Sequence, residues 1–224
     1  MIAYIGSKKM IKAVIFDMDG VIVDSEKLWH KRFYDFLNSY GVHVEESSLY
    51  RLIGVKHKEP IWKEILKDKD LPFPIENIMT VMNEKFLSEN IKYLPVLNPH
   101  VHLLLKTLKE RGIKTALASS GPPRLINRMK EECSLEDGFD FTTSGDQFKE
   151  SKPNPEIFLH TARLLEVAPE ECVVIEDSPV GIQAAKAAGM YVIAKEDDTF
   201  GMDQSQANII IQDLIQVLDI INSL

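Results

Sequence analysis

The sequence predicts an α/β fold, a parallel sheet core flanked by helices, with an inserted all-helical domain. Two observations support this prediction: short β-branched runs alternate with amphipathic helical segments, and one long stretch has helical periodicity without a convincing strand. The 224 residues suit one domain with a smaller insertion. We therefore divide the chain into a core, 1–22 and 95–224, and a helical insertion, 23–94, joined by linkers near 20–25 and 90–98.

Six apolar runs are predicted to be the strands of the sheet. They are Lys12–Phe16, Lys114–Ala118, Phe139–Thr143, Cys172–Ile175, Tyr191–Ala194 and Asn208–Ile211. Near-continuous apolar runs of this length are typical of strands that are covered on both faces. Because helical segments separate most of the runs, the strands are expected to pair in parallel.

Apolar stripes at helical spacing predict the helices. In the core, the stripe over 101–108 stops just before Gly112, which suits a C-terminal cap. In the insertion, three stripes lie near 29–40, 61–66 and 78–86. The insertion is therefore predicted to be built from helices alone.

The composition excludes several classes of function. The chain has 26 Lys and Arg against 34 Asp and Glu, a formal net charge of −8. Nucleic-acid binding needs clustered Lys and Arg, so we expect no nucleic-acid partner. No run approaches the roughly 18 apolar residues of a membrane span, so we expect no membrane partner either. The two cysteines, Cys133 and Cys172, lack metal-ligand spacing and are expected to be buried, reduced thiols.

The N-terminal segment has neither the charge order nor the cleavage site of a signal peptide. A cytoplasmic location is therefore expected. Met10 is a candidate for the native start, with 1–9 as an upstream extension. A monomer is the default expectation for the oligomeric state.

Polar side chains follow three of the predicted strands at their carboxyl ends. They are Asp17 and Asp19 after the first strand, Ser119 after the second, and Glu176 and Asp177 after the fourth, with Lys152 ahead of a core helix. In open α/β sheets, ligands bind in the crevice at these ends. The sequence therefore predicts one site that contains four carboxylates, a hydroxyl and an ammonium group.

Such crowding of carboxylates favours a bound cation. Two carboxylates about 4 Å apart repel by roughly 4 kcal/mol at an effective dielectric near 20. Either some of them take up protons or a cation lies among them. Oxygen ligands suit Mg²⁺, which typically uses one or two carboxylates together with substrate phosphate and water. Mg²⁺ is therefore the predicted cofactor.

Four motifs carry a resemblance to a known family. They are Asp17-Met-Asp-Gly-Val-Ile-Val-Asp-Ser25, Ala118-Ser-Ser-Gly121, Ser151-Lys-Pro-Asn-Pro155 and Ile175-Glu-Asp-Ser178. Their order and sequence resemble the haloacid dehalogenase superfamily of phosphohydrolases, over residues 12–195. The helical insertion resembles the cap domain of the β-phosphoglucomutase-like and sugar-phosphate phosphatase branch. The resemblance implies a Rossmann-like core, an all-helical cap and a small phosphorylated metabolite as the substrate.

The resemblance also implies catalytic roles for two aspartates. Asp17 would be the nucleophile and would form an aspartyl-phosphate. Asp19 would protonate the leaving oxygen and then act as the base toward the attacking water or hydroxyl group.

Binding roles follow from the same resemblance. Mg²⁺ would bind the Asp17 carboxylate, the Asp19 backbone carbonyl and Asp177, with Glu176 as a direct or water-mediated ligand. Phosphate would be bound by Ser119, Ser120 and Lys152. A carboxylate that attacks a phosphate dianion is repelled by it, so the metal and the lysine must offset this repulsion.

Three functions remain open at this stage: a sugar-phosphate phosphatase, which we favour, a β-phosphoglucomutase-type mutase, and a non-catalytic binder of a phosphorylated ligand. The mutase pattern places a histidine five residues after the aspartate that we match to Asp24, where this chain has Trp29. It also places an arginine where this chain has His57, with Lys56 or Lys58 as a substitute. A lysine is a point charge and not a bidentate clamp, which disfavours the mutase.

Each site residue also has a structural alternative, as the end of a strand, a turn, a helix cap or a solvated charge. Asp24 and Ser25 are interpreted mainly as a hinge and a helix N-cap. Trp29 is interpreted as part of the core of the insertion rather than as a substrate contact.

Overall fold

The computed structural model describes residues 10–53, 55, 58–85 and 92–224. Within these residues, six strands form one sheet in the order β3-β2-β1-β4-β5-β6, and every neighbouring pair is parallel. The strands are β1 (Ala13–Phe16), β2 (Lys114–Ser119), β3 (Phe141–Ser144), β4 (Cys172–Glu176), β5 (Tyr191–Lys195) and β6 (Ile209–Ile211). The predicted α/β fold is confirmed, with strand ends that differ by one or two residues from those expected.

Helices account for most of the remaining regular structure. They are α1 (Glu26–Asn38), α2 (Glu59–Ile65), α3 (Ile78–Lys85), α4 (Val101–Glu110), α5 (Pro123–Glu132), α6 (Glu156–Leu164), α7 (Pro179–Ala187) and α8 (Val217–Ser223). A short 3₁₀ helix, Glu46–Leu52, lies between α1 and α2. None of the helices in the described part of the chain is long and apolar enough to cross a membrane.

The sheet separates two hydrophobic clusters, and alternate residues of β1 pack into different ones. Val14 and Phe16 contribute to the cluster that includes the apolar residues of α4 and α5. Ala13 and Ile15 contribute to the cluster that includes α6 and α7. Both faces of the sheet are therefore covered, which is why its strands are continuously apolar.

A third hydrophobic cluster lies wholly within the helical insertion. Its fully buried side chains include Phe36 from α1, Leu49 from the 3₁₀ helix and Trp62 from α2. Phe33 packs edge-on against Trp62, with ring centroids 5.5 Å apart. The insertion thus has an apolar interior of its own, in addition to the two clusters on the sheet.

The two linkers to the insertion run side by side. Val23 pairs with Leu97 in an antiparallel bridge, and the Asp24 amide donates to the Val96 carbonyl over 2.7 Å. The Asn98 side chain donates to the Val21 carbonyl over 2.7 Å. Because the first linker follows the carboxyl end of β1, this pairing holds the insertion at the carboxyl edge of the sheet.

Substitution of two adjacent leucines on α4 tests which face of this helix packs against the sheet. Leu104 is fully buried, whereas Leu103 is 50% exposed. We expect Leu104→Ala to lower the free energy of unfolding by about 2–5 kcal/mol, because it removes buried methyl groups and leaves a cavity. The matched variant Leu103→Ala should change it by less than about 0.5 kcal/mol. Urea denaturation measures both, and equal losses would contradict the assigned face of α4.

Candidate active site

A cavity of about 410 Å³ lies at the carboxyl edge of the sheet, between the core and the insertion. The core contributes mainly polar groups, and the insertion contributes mainly apolar ones. The lining includes Asp17, Asp19, Ser120, Lys152, Glu176 and Asp177 from the core side, and Trp29, Phe33, Leu52, Lys58 and Met79 from the insertion side. The side chains predicted after β1 and β4 therefore lie together with Lys152 at this cavity, whereas Ser119, predicted after β2, is not among the lining residues.

Lys152 links carboxylates from two neighbouring strands. Its ammonium group donates to Asp17 Oδ1, to Glu176 Oε1 over 2.7 Å and to the Ala118 carbonyl over 3.3 Å. The lysine side chain is 3% exposed. Burial lowers the pKa of Lys152, but the charges of Asp17 and Glu176 outweigh it, so that its pKa is raised. The ammonium group is therefore charged.

Asp17 lies directly after β1, and its backbone amide donates to the Ile175 carbonyl over 2.9 Å. Burial raises the pKa of Asp17 to about 7, although the nearby Lys152 acts to lower it. The Asp17 carboxylate is therefore placed by the sheet itself and lies in a poorly solvated environment, where added positive charge would favour its ionised form.

Asp19 lies on the turn that follows, in which Gly20 has a φ of 80°. The Ser25 hydroxyl donates to the Asp19 carboxylate. Burial raises the pKa of Asp19, whereas hydrogen bonds from Ser25 and Trp29 act to lower it. Ser25 is the N-cap residue of α1, as interpreted, but its hydroxyl makes no cap bond and instead binds Asp19.

The two acidic residues after β4 have different environments. Glu176 Oε2 accepts the amides of Asp177 and Ser178, both over 2.9 Å, and the Ser178 hydroxyl over 3.0 Å, while Oε1 accepts Lys152. A methyl group at Gly181 would overlap the Glu176 carboxylate. Both Glu176 oxygens are thus bound by protein donors.

Asp177 is buried beside the first turn. Burial raises its pKa well above the ordinary value, and the neighbouring Glu176 raises it further. A side chain at Gly20 would overlap the Asp177 carboxylate, so a glycine is needed there both for its φ and for its size. The loops after β1 and β4 therefore pack directly on each other.

The carboxylates at the cavity fit Mg²⁺ as a pair rather than as a larger set of protein ligands. Among the described residues, no group of three or more His, Cys, Asp or Glu side chains is arranged to hold a metal ion. Mg²⁺ needs only one or two protein carboxylates besides phosphate and water. Asp17 and Asp177 both line the cavity and meet that need.

The two serines after β2 differ in their access to the cavity. Ser120 borders it. Ser119 is 1% exposed, and its hydroxyl oxygen accepts the Gly121 amide over 3.0 Å. A methyl group at Gly145 would crowd the backbone of Ser120, so the two loops approach closely.

Several side chains of the cavity, among them Glu26, Phe33 and Arg124, were not predicted as site residues. Trp29 packs against the hydrophobic cluster of the insertion, as interpreted, and it also borders the cavity. Glu26 also borders the cavity, and burial followed by the charge of Asp19 raises its pKa. The Lys58 ammonium group donates to the carbonyls of Leu52 and Val55, and burial lowers its pKa. The helical spacing of Glu26 and Trp29, one turn apart on α1, was the available signal.

The segment in which the mutase pattern has an arginine is only partly described. Gly54, Lys56 and His57 lie outside the described residues. Lys58 is described, and its Nζ lies 5.9 Å from the centre of the Phe33 ring.

Comparisons with known proteins agree with this geometry. The profile of the haloacid dehalogenase-like hydrolases matches residues 14–195. The chain belongs to this family. It is 40% identical over 185 residues to a phosphorylated carbohydrates phosphatase of Thermotoga maritima, which covers 80% of this chain and 82% of that protein.

Similarity to mutases is also present. The chain is 30% identical over 190 residues to the β-phosphoglucomutase of Bacillus subtilis, covering 82% of each chain. The crystal structure of a β-phosphoglucomutase from Clostridium difficile superposes with a TM-score of 0.75 at 26% identity, covering 95% of this chain and 98% of that one. The haloacid dehalogenase-like fold is therefore confirmed, and relatives of both reaction types share it.

The buried charge of Lys152 in this haloacid dehalogenase-like hydrolase can be tested by its removal. We expect Lys152→Met to lower the free energy of unfolding by about 3–5 kcal/mol at pH 8, because it leaves Asp17 and Glu176 buried without their cation. Lys149→Met is the matched control, since Lys149 is exposed, and should change stability by less than about 0.5 kcal/mol. Urea unfolding without Mg²⁺ measures both. Equal stabilities would show that Lys152 does not compensate the two carboxylates.

Proposed function

We propose that this chain is a Mg²⁺-dependent phosphohydrolase that acts on a small phosphorylated metabolite, a sugar phosphate, through an aspartyl-phosphate intermediate. One observation carries the proposal: Lys152 donates to Asp17 at the base of a cavity whose opposite wall belongs to the helical insertion. A carboxylate, an ammonium group and a partly apolar enclosure are what phosphoryl transfer to an aspartate requires.

In the first step, a carboxylate oxygen of Asp17 attacks the phosphorus atom. The bond from phosphorus to the sugar oxygen breaks, and Asp19 donates a proton to that oxygen, so that the sugar leaves as a neutral alcohol. Burial, which raises the pKa of Asp19, favours the protonated form that this step needs. The hydrogen bond from the Ser25 hydroxyl holds the Asp19 carboxylate in place.

In the second step, water attacks the phosphorus atom of the aspartyl-phosphate. Asp19, now ionised, takes a proton from that water, and the Asp17 carboxylate is released together with inorganic phosphate. Asp19 gives one proton to the sugar oxygen in the first step and takes one from the water in the second, so both aspartates return to their starting states.

Charge compensation comes from the residues around Asp17. Lys152 neutralises charge on the transferring phosphoryl group, while Glu176 orients Lys152 through their 2.7 Å contact. Asp17, Asp177 and the Asp19 backbone carbonyl would hold Mg²⁺, which supplies further positive charge at the phosphoryl oxygens, and Glu176 would reach it through water. Ser119 and Ser120 would bind the phosphoryl oxygens.

The insertion selects the substrate in this proposal. We assign residues 23–94 to a helical cap and 1–22 with 95–224 to the core. The cavity volume of about 410 Å³ falls within the usual range of small-ligand sites. The cap wall offers Trp29 and Phe33 for the faces of a sugar ring, and Lys58 for a polar substituent. The name of the Thermotoga maritima relative supports a phosphorylated carbohydrate as the substrate.

Substitution of the two aspartates tests the catalytic roles. We expect Asp17→Asn to reduce turnover by at least about 10³-fold, since it removes the nucleophile. Asp19→Asn should reduce it by about 10²–10⁴-fold, through slower departure of the leaving group and slower breakdown of the intermediate. The release of p-nitrophenol from p-nitrophenyl phosphate with Mg²⁺ measures both, with the exposed Asp137→Asn as the control.

Two outcomes of this assay would contradict the proposal. Near-native activity of Asp17→Asn would exclude Asp17 as the nucleophile. Absence of turnover by the unmodified chain, with Mg²⁺ or other divalent metals, would favour a binder of phosphorylated ligands.

A product assay separates the phosphatase from the mutase. We incubate the chain with β-glucose 1-phosphate and a trace of the bisphosphate, and follow free phosphate and glucose 6-phosphate over time. Free phosphate is the expected main product, because Trp29 stands where the mutase pattern has a histidine. Predominant glucose 6-phosphate would identify the chain as a mutase.

A further inference from the structure

A cluster of three aromatic rings joins the insertion to the core outside the cavity. Phe200 lies in the loop between β5 and β6, His30 lies on α1, and Tyr50 lies in the 3₁₀ helix. The Phe200 ring centre is 5.0 Å from that of Tyr50 and 5.7 Å from that of His30, which are themselves 5.0 Å apart. These distances are within the range in which aromatic pairs attract one another.

The loop that carries Phe200 has a defined conformation. The Asp197 carboxylate accepts the amides of Thr199 over 3.0 Å, Phe200 over 2.9 Å and Met202 over 2.8 Å. Gly201 follows with a φ of 65°, which favours glycine. The Phe200 ring is therefore presented to the insertion by a turn that is organised around a single carboxylate.

The base of this loop is attached next to the active site. The Gln204 side chain is 6% exposed, and it donates to the backbone carbonyls of Asp177 over 2.6 Å and Lys195 over 2.7 Å. Its own carbonyl accepts the Asp197 amide over 3.2 Å. The loop is thus bound to the residue that follows β4, and Phe200 contacts the insertion from a fixed point on the core.

The contact acts on the helix that faces the catalytic aspartates. His30 directly follows Trp29, which borders the same cavity as Asp19. On the same helix, Lys27 lies 3.5 Å from Asp198 of the Phe200 loop. That ion pair is largely exposed and is therefore expected to contribute little.

We propose that Phe200 is a positioning residue for catalysis: its ring holds α1 against the core, so that Trp29 stays over Asp19 and the cavity stays enclosed. Phe200 acts through the insertion and touches no reacting atom. The kinetic part of this inference rests on the proposed function, whereas the position of Trp29 can be measured without turnover.

The expected kinetic effect follows from a change in population. Phe200→Ala would let part of the molecules leave the closed position. Because only closed molecules bind a sugar phosphate well, the apparent affinity falls in proportion to the fraction of molecules that stays closed. We expect KM to rise about tenfold, equivalent to about 1.4 kcal/mol, while kcat changes by less than about twofold because bound substrate restores closure. A variant that is merely less well folded would instead lower kcat and keep KM.

Fluorescence gives a readout that does not depend on the reaction. The chain has two tryptophans, and Trp62 is fully buried, so a change in acrylamide quenching reports on Trp29. We expect the quenching constant of Phe200→Ala to be about twice that of the unmodified chain, because the open population exposes Trp29.

Two further variants act as controls. Phe200→Tyr keeps the ring and should restore both KM and quenching to the values of the unmodified chain. Phe141→Ala removes a ring that is 40% exposed on β3, and it should change neither value. Unchanged quenching in Phe200→Ala, or an equal change in Phe141→Ala, would overturn the inference. Increased quenching in a chain without any turnover would support the positioning contact and contradict only the proposed function.

Discussion

The buried contact of Lys152 with Asp17 and Glu176 is the interaction on which the rest of the site depends. It joins groups from the ends of β1 and β4, which are neighbours in the sheet, to a loop that precedes α6. Two carboxylates this close repel each other, and a single ammonium group between them reduces that repulsion. Buried ion pairs stabilise proteins weakly at best. The arrangement is better understood as the preparation of Asp17 for a charged ligand than as a source of stability.

The sheet places the polar groups of the site and the insertion supplies the opposite wall of the cavity, and both roles follow from how these two parts are packed. The sheet is covered on both faces, so its strand ends are held rigidly and place polar groups at one edge. The insertion has its own hydrophobic cluster and is joined to the core by two linkers that lie together. It therefore meets the core through side-chain contacts such as Ser25 with Asp19 and His30 with Phe200. Specificity can change in this wall while the fold stays the same.

Much of the site could be predicted because parallel strands end at one edge, so that the residues after β1, β2 and β4 had to meet. Two interpretations were correct but incomplete for a shared reason. Ser25 suits an N-cap by residue type, and Trp29 suits a buried helix face by spacing. Their positions at the site, with the Ser25 hydroxyl on Asp19 and Trp29 at the cavity, depend on how α1 lies against the core. Residue type and period do not contain that information. The same holds for Lys58, which binds the carbonyls of Leu52 and Val55 at the cavity.

The amino-acid sequence was sufficient to determine the strands, the order of the four motifs and the acidic groups at the strand ends. Hydrophobic periodicity and short-range spacing depend only on consecutive residues, so they can be identified without the tertiary structure. The tertiary structure alone decided which of these groups touch. Lys152 and Asp17 are 135 positions apart, and sequence spacing does not predict that the Lys152 ammonium group binds both Asp17 and Glu176. The contact of Phe200 with His30 is of the same kind. Such pairs are set by the packing of whole elements, since side-chain direction follows from where each helix and loop lies on the sheet.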